Sequence, residues 1–498
     1  MAEKNNGRVS GVLMHVSSLW GEYSCGSFGK SAYEFMDFLA ECGFSCWQTL
    51  PFCLPDEHGS PYSSYSAFSV NPAFIDLETL ASRGLLNAEE LASARQRTPF
   101  RCEFDRLSGE RMELLSRAAE RFKDADCVRN FIALHPHTGS FCRFMALRKA
   151  NGYLPHRRWT CSVPDSGELR TWEFICYEFF REWAEVRNYA HSKGISIIGD
   201  IPVYVSLESS DVWENPKQFL LDENGDPTGV AGVPPDYFCA DGQLWGNPLY
   251  DWDRMRKDGF AWWRDRIAFM CELFDKVRID HFRGLESFYS IPFGAPDARN
   301  GKWVKGPGME LVKALRSVCG EGRLIAEDLG VIDKKVEKLV RESGFPGMRV
   351  MQFGFDGKAD NPHLPHNYIK NCVAYTGTHD NNTLLGFMWE LDPASRRAVL
   401  EYCGYGDENW DTPAAYHAVI RTLISSVADT VIIPLQDLLR FGSDTRMNTP
   451  GEAEGNWSWR VLREQLSAAD KARLAEYNRI YGRGAPEQKN KEATGASL

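Results

Sequence analysis

Short runs rich in Val, Ile, Leu and Phe recur along the chain, and most are separated by stretches whose apolar residues fall at helical spacing. Eight such runs stand out: GVLMHVSS (11–18), FSCWQTLPF (44–52), ISIIGDIPVYV (195–205), KVRIDHF (276–282), RLIAEDLG (323–330), RVMQFGF (349–355), CVAYTGTHD (372–380) and TVIIPLQDL (430–438). Strands alternating with helical spacers favour a parallel sheet covered by helices, and eight of them predict an α/β fold of the closed (β/α)8 TIM-barrel type. The spacers are uneven, however. About 140 residues separate the second run from the third, too many for one helix, so a mostly helical subdomain is expected over 53–194, inserted into a single catalytic barrel domain covering 1–498. Inside it, residues 167–194 read as one long helix ending at Gly194. A second insertion, 206–257, is rich in Pro, Gly, Asp and aromatics, which favours a lid-forming loop over the barrel mouth rather than a regular element. The end of the chain, 483–498, reads as a frayed tail.

Several runs end in polar groups: Asp200, Asp280, Glu327, His379 with Asp380, and Gln436 with Asp437. In a barrel of this kind that end is the active face. Within VRIDHFRG (Val277–Gly284), strand alternation puts Arg278 and Asp280 on one face and Val277 and Ile279 on the other. A guanidinium beside a carboxylate lowers its pKa and keeps it ionised, although one such pair is equally at home as a structural ion pair. The next strand brings Glu327 and Asp328, and repulsion together with desolvation then separates the pKa values, leaving one carboxylate as nucleophile and the other as acid. Asp380, beside His379, is a third. Three acids at three strand ends without matching cations make a poor structural arrangement. Paired carboxylates suit glycosidic-bond chemistry, and the aromatics of the mouth loops (Tyr62, Tyr237, Phe238, Trp245) offer flat apolar surfaces on which the C–H faces of a sugar pack.

Composition narrows the field. A chain of 498 residues that is 43% hydrophobic buries a large core, and a net charge of −11 spread along its length makes nucleic acid and anionic membrane poor partners. No apolar run reaches the length of a membrane span, and the N-terminal MAEKNNGRVSGVLMHVSSLW lacks a signal peptide's apolar core and cleavage site, so the expected location is cytoplasmic. The fourteen cysteines show no CxxC or zinc-ligand spacing, which suits reduced core residues. Single histidines (His15, His281, His379) argue against a catalytic metal, and GxSxG, GxGxxG and HExxH are absent.

VRIDHFRG, AEDLG and TGTHDN, together with SPYSSYSAF, GVPPDYF, QLWGNPLY, PLQDLL and RMNTPG, resemble the amylomaltases, the 4-α-glucanotransferases of glycoside hydrolase family 77. The resemblance runs in order from about Ser10 to Trp459. It implies that Asp280 is a nucleophile forming a covalent glycosyl-enzyme intermediate, that Glu327 is the general acid/base, and that Asp380 holds the 2- and 3-hydroxyls of the donor sugar. Arg278 would keep Asp280 ionised, and His281 and His379 would hydrogen-bond hydroxyls. Ser60, Asp328 and Asn448 match donor-sugar contacts, Tyr62 would stack near the cleavage point, Asp236 and Phe238 would bind substrate, and Gln243 and Trp245 would line the acceptor side. The implied reaction moves an α-1,4-glucan segment to the 4-hydroxyl of another glucan or glucose by a retaining double displacement, with maltooligosaccharides as donor and acceptor. No cofactor or metal is implied, and the chain would be a monomer or homodimer. Two departures stand out. Val205 replaces the histidine that ends the third-strand motif across the wider α-amylase clan, which favours transferase over hydrolase, and Cys239–Asp241 differs from the family's Ser-Glu-Thr in the lid. A hydrolase of the same clan, or a glucan-binding protein on an inactive barrel, are the competing readings; the intact acidic trio counts against the second.

Overall fold

In the computed structural model, which describes residues 7–55, 59–235, 240–407, 409–452 and 454–484, all eight apolar runs contribute a strand to one parallel sheet. The strands are β1 (Val9–Leu13), β2 (Cys46–Gln48), β3 (Ser196–Ile201), β4 (Lys276–Ile279), β5 (Leu324–Ala326), β6 (Gly347–Val350), β7 (Cys372–Tyr375) and β8 (Thr430–Pro434). They pair in the order β6-β7-β8-β1-β2-β3-β4-β5, every pair parallel. The two ends of that order meet: the Ala326 N–H donates to the Pro346 carbonyl at 2.9 Å, and the Asp328 carboxylate accepts the Met348 N–H at 2.5 Å. The sheet is therefore a nearly closed barrel. At this seam Gly347 has no room for a side chain, since a Cβ there would lie 2.5 Å from the Asp328 carboxylate.

The strands are shorter than the apolar runs because the polar C-terminal residues of each run leave the ladder to form the rim. Between β2 and β3 the chain passes through a series of helices that includes Met112–Arg121, Ala125–Leu134 and Pro136–Ala150 and ends in the 27-residue helix Ser166–Ser192. That long helix starts where the Asp165 side chain accepts the Glu168 N–H and stops ahead of Gly194, whose φ of +73° suits a residue without a Cβ. Its apolar stripe (Trp172, Ile175, Phe179, Trp183, Val186) is buried, with the Trp183 ring edge-on to Phe52 at 4.7 Å and its indole N–H on the Leu273 carbonyl. Each such side chain removed from water contributes on the order of 2 kcal/mol.

Two expectations need correction. Residues 206–257 are not one irregular loop: they hold the helices Ser210–Glu214 and Trp252–Lys257 and the strands Gly229–Val233 and Gln243–Pro248. These strands join Ser287–Pro292 and Lys302–Lys305, from the β4–β5 connection, in a four-stranded antiparallel sheet. Buried Val230, Ala231 and Ile291 drive the pairing, while Gly and Pro fall at its ends and at a bulge. The tail expectation also shifts. Arg483 is fully buried and donates to the carbonyls of Val9, Ile424, Ser426 and Ala428; residues 485–498 lie outside the described residues.

Candidate active site

β4 delivers the first carboxylate. Val277 and Ile279 are fully buried, while Arg278 points into the barrel beside its register neighbour on β3, Asp200. One guanidinium serves two acids: Nη1 lies 2.5 Å from Asp200 Oδ2 and Nη2 lies 2.8 Å from Asp280 Oδ1. The Tyr62 hydroxyl donates to the same Asp200 oxygen at 2.6 Å. The expectation that Arg278 lowers the Asp280 pKa holds for its own contribution. Burial outweighs it, aided by the charges of Asp200 and Asp380, and Asp280 is pushed up to about 6. Asp280 is thus mostly ionised at pH 7.

His281, two residues past β4, takes the left-handed conformation (φ 49°, ψ 46°), which for a residue with a Cβ costs on the order of 1–3 kcal/mol. The turn does two things. It presents the His281 N–H to Glu327 Oε2 at 2.7 Å, and it sets the imidazole edge-on to Trp245 with ring centroids 4.9 Å apart. Burial pushes His281 down to about 3, so the ring is neutral, and its buried Nε2 has no hydrogen-bond partner among the described residues.

Glu327 follows β5, with its own N–H on the Ile279 carbonyl and its Oε1 accepting the Leu329 N–H at 2.8 Å. Burial, then repulsion from Asp280, pushes it up to about 8, against the pull of Arg278. Of the two neighbouring groups Glu327 is raised further, so it keeps a proton more readily and Asp280 is the more readily ionised. Asp328 points the other way, into the β5–β6 seam, where it binds the Met348 N–H and lies 3.3 Å from Arg349 Nη1. These contacts tie it to the closure of the barrel.

Asp380 and His379 lie in the loop after β7. Asp380 Oδ1 accepts from Asn448 Nδ2 at 2.7 Å, its Oδ2 is 3.3 Å from His379 Nε2, and its carbonyl accepts from Arg446. His379 stacks on Tyr62 (5.2 Å, 15°), and Trp457 tilts against both rings. Ser60 Oγ accepts the Tyr62 N–H at 3.3 Å and so shapes the turn that presents that ring. Trp245 is 37% exposed, its indole N–H bonded to Gln243 Oε1 at 3.0 Å. It precedes Gly246 (φ +79°) at the bulge of the antiparallel sheet, and the bulge re-aims it toward His281. Asp236, Tyr237 and Phe238 lie outside the described residues.

Asp280, Glu327, Arg278, His281, Gln243 and Trp245 thus form one connected group, which Tyr62 links through Asp200 to His379, Asp380 and Asn448. Sequence reasoning did not assign roles to Asp200, Arg446 or Trp457. Asp200 was visible as a strand-end acid, and Arg446 lies in the quoted RMNTPG, but contacts across the barrel carry no local signal. Among the described residues no group of three His, Cys, Asp or Glu side chains is placed to hold a metal ion, and no helix is long and apolar enough to cross a membrane.

A (β/α)8 barrel with a more readily ionised and a more readily protonated carboxyl at adjacent strand ends, under an aromatic rim, is the architecture of enzymes that act on glycosidic bonds. The family model for glycoside hydrolase 77, described as 4-alpha-glucanotransferase, matches residues 14–465. A 4-alpha-glucanotransferase of Clostridium butyricum is 40% identical over 94% of this chain and 100% of its own, and the chloroplastic/amyloplastic one of Solanum tuberosum is 41% identical over 92% of this chain and 83% of its own. The amylomaltase of Streptococcus agalactiae, solved in complex with acarbose, superposes with a TM-score of 0.90 at 36% identity, covering 96% of this chain and 100% of that one. The chain belongs to the 4-alpha-glucanotransferase family, glycoside hydrolase family 77, whose members are glycosyltransferase-type enzymes.

Proposed function

We propose that the chain transfers α-1,4-glucan segments between maltooligosaccharides by a retaining double displacement through Asp280. The readier ionisation of Asp280 beside a Glu327 that keeps its proton more readily carries this reading. The Asp280 carboxylate attacks the anomeric carbon of the donor as the glycosidic C–O bond breaks, and the leaving oxygen takes the Glu327 proton. Glu327, now a carboxylate, removes the proton from the 4-hydroxyl of an acceptor glucan. That oxygen displaces Asp280 from the same carbon, and two inversions give retention.

Asp380 would accept hydrogen bonds from donor hydroxyls, with neutral His281 and His379, Asn448 and Ser60 as further sugar contacts and Tyr62 as a stacking surface. Asp328, tied into the seam, contributes through a sugar only if a hydroxyl reaches its second oxygen. Gln243 and Trp245 form the acceptor side. Transfer outpaces hydrolysis when this rim keeps water out of line while an acceptor is held. We also place the enzyme in the cytoplasm, a location consistent with the unbridged cysteines of the described residues. Purified protein incubated with maltotriose should yield glucose and a ladder of longer oligosaccharides at constant total reducing ends. Rising reducing ends without elongation would make it a hydrolase, and no products would remove the catalytic reading.

A further inference from the structure

The motif PLQDLL carries two buried polar side chains at its centre, Gln436 and Asp437, that touch none of the reacting groups named above. Asp437 is completely buried in the helical turn Leu435–Leu438 that follows β8, yet it forms no ion pair among the described residues. Its two oxygens go to the two ends of one loop: Oδ2 accepts the Thr376 hydroxyl at 2.5 Å, directly after β7, and Oδ1 accepts the Leu384 N–H at 2.7 Å, at the first turn of the helix Leu384–Glu390. Between those points lie His379 and Asp380. Gln436 reaches the other side, its Nε2 donating to the Thr445 carbonyl at 3.1 Å in the loop that supplies Arg446 and Asn448. The two loops then meet at the same residue: Asn448 donates its side-chain amide to the Asp380 carboxylate and its backbone N–H to the His379 carbonyl, and Arg446 donates to the Asp380 carbonyl.

A cavity of about 20 Å³ lies between the loops and the strand ends, lined among others by His15, Thr378, His379, Asn382, Gln436 and Asp437. A void of that size has room for about one water molecule, and the hydrogen bonds of Asp437 and Gln436 tether the loops to the end of β8 beside it. Other tethers exist, Gln352 to the Asn382 carbonyl and Asn382 to Ser443, but neither spans both ends of the loop. We infer that Asp437 is a positioning residue for Asp380: it pins both ends of the 376–384 loop while its neighbour Gln436 pins the 445–448 loop that grips the same carboxylate. This rests on the proposed role of Asp380 in holding the donor sugar.

A double-mutant cycle tests it, with an α-maltosyl fluoride donor keeping slow variants measurable. Asp437→Ala should lower kcat/KM by about 30-fold when Asp380 is present, as a misplacement of around an ångström would, and by less than about threefold in an Asp380→Asn background. The milder Thr376→Val, which removes one of the two tethers and little volume, should show the same non-additivity at smaller size and serves if Asp437→Ala does not fold. Asp437→Asn keeps an acceptor for the Leu384 N–H and should retain at least about a third of the activity, in line with the small worth of one neutral hydrogen bond exchanged for another. Equal losses in both backgrounds would overturn the inference alone, as would an Asp437→Asn variant as impaired as Asp437→Ala. An Asp380→Asn variant with full activity would overturn the role of Asp380 and this inference with it.

Discussion

The β4–β5 side of the rim and the β7–β8 side both present carboxylates to the same mouth, but they hold them differently. Asp280 and Glu327 follow their strands by one residue, and Glu327 is fixed by backbone N–H groups on both oxygens. Asp380 sits five residues beyond β7 in a loop, 43% exposed, and is held by the side chains of Asn448, His379 and Arg446. Backbone N–H groups fix Glu327 and the buried Arg278 guanidinium fixes Asp280, close to their strand ends, and burial there raises Glu327 further than Asp280. Side-chain anchors on loops leave a carboxylate wet and adjustable, which suits the proposed gripping of hydroxyls that arrive and leave with each sugar. With the roles proposed for these carboxylates, one rim is divided between a firmly held reacting half and a more adaptable gripping half.

Breaking the reacting half should have the larger effect. Glu327→Gln removes the acid without changing its size, and turnover of maltotriose should fall by about 10³-fold, while α-maltosyl fluoride, whose leaving group needs little protonation, should still glycosylate the enzyme. Equal loss on both donors would contradict the acid role. On the gripping half, Asn448→Ala frees one oxygen of Asp380 and should cost about tenfold in kcat/KM, the weight of one hydrogen bond to a charged group. A loss as large as that of Glu327→Gln would erase the division. Trp245→Ala should change overall rate least, by a few-fold, but raise the ratio of hydrolysis to transfer as water gains access beside His281. An unchanged ratio would take Trp245 out of acceptor selection. Between the halves, kcat/KM should follow a bell in pH, falling below about 6 as Asp280 gains a proton and above about 8 as Glu327 loses one, the two limbs belonging to the coupled pair.

The reacting half was the more legible in sequence. VRIDHF carries β-branched residues at period two and LIAED opens on a short apolar run, and the acidic residues that end those runs stand where a strand must end and a rim begin. Which way Asp280 titrates was not legible, because burial is a property of the closed barrel and it outweighs the adjacent arginine. Asp328 shows the same limit. Next to Glu327 in sequence, it faces a seam that exists only once β5 and β6 meet. The antiparallel sheet of the mouth was missed for a different reason: its two neighbouring strand pairs, within 229–248 and 287–305, lie well apart in the chain and pair with each other only in the fold, and the Gly and Pro that mark its ends and bulge read locally as loop. Arg483 repeats the lesson at the opposite end of the barrel, a charged residue near the terminus whose carbonyl partners are all long-range.

The most direct test of the account is to trap the intermediate. The enzyme would be incubated with a fluorinated glucosyl donor that slows the second displacement, then digested, and the labelled peptide sequenced by mass spectrometry. A glycosyl ester on Asp280 is the predicted result, absent from Asp280→Asn. A label on Glu327 or Asp380, or a turnover-competent enzyme that never carries a label, would contradict the double displacement as described.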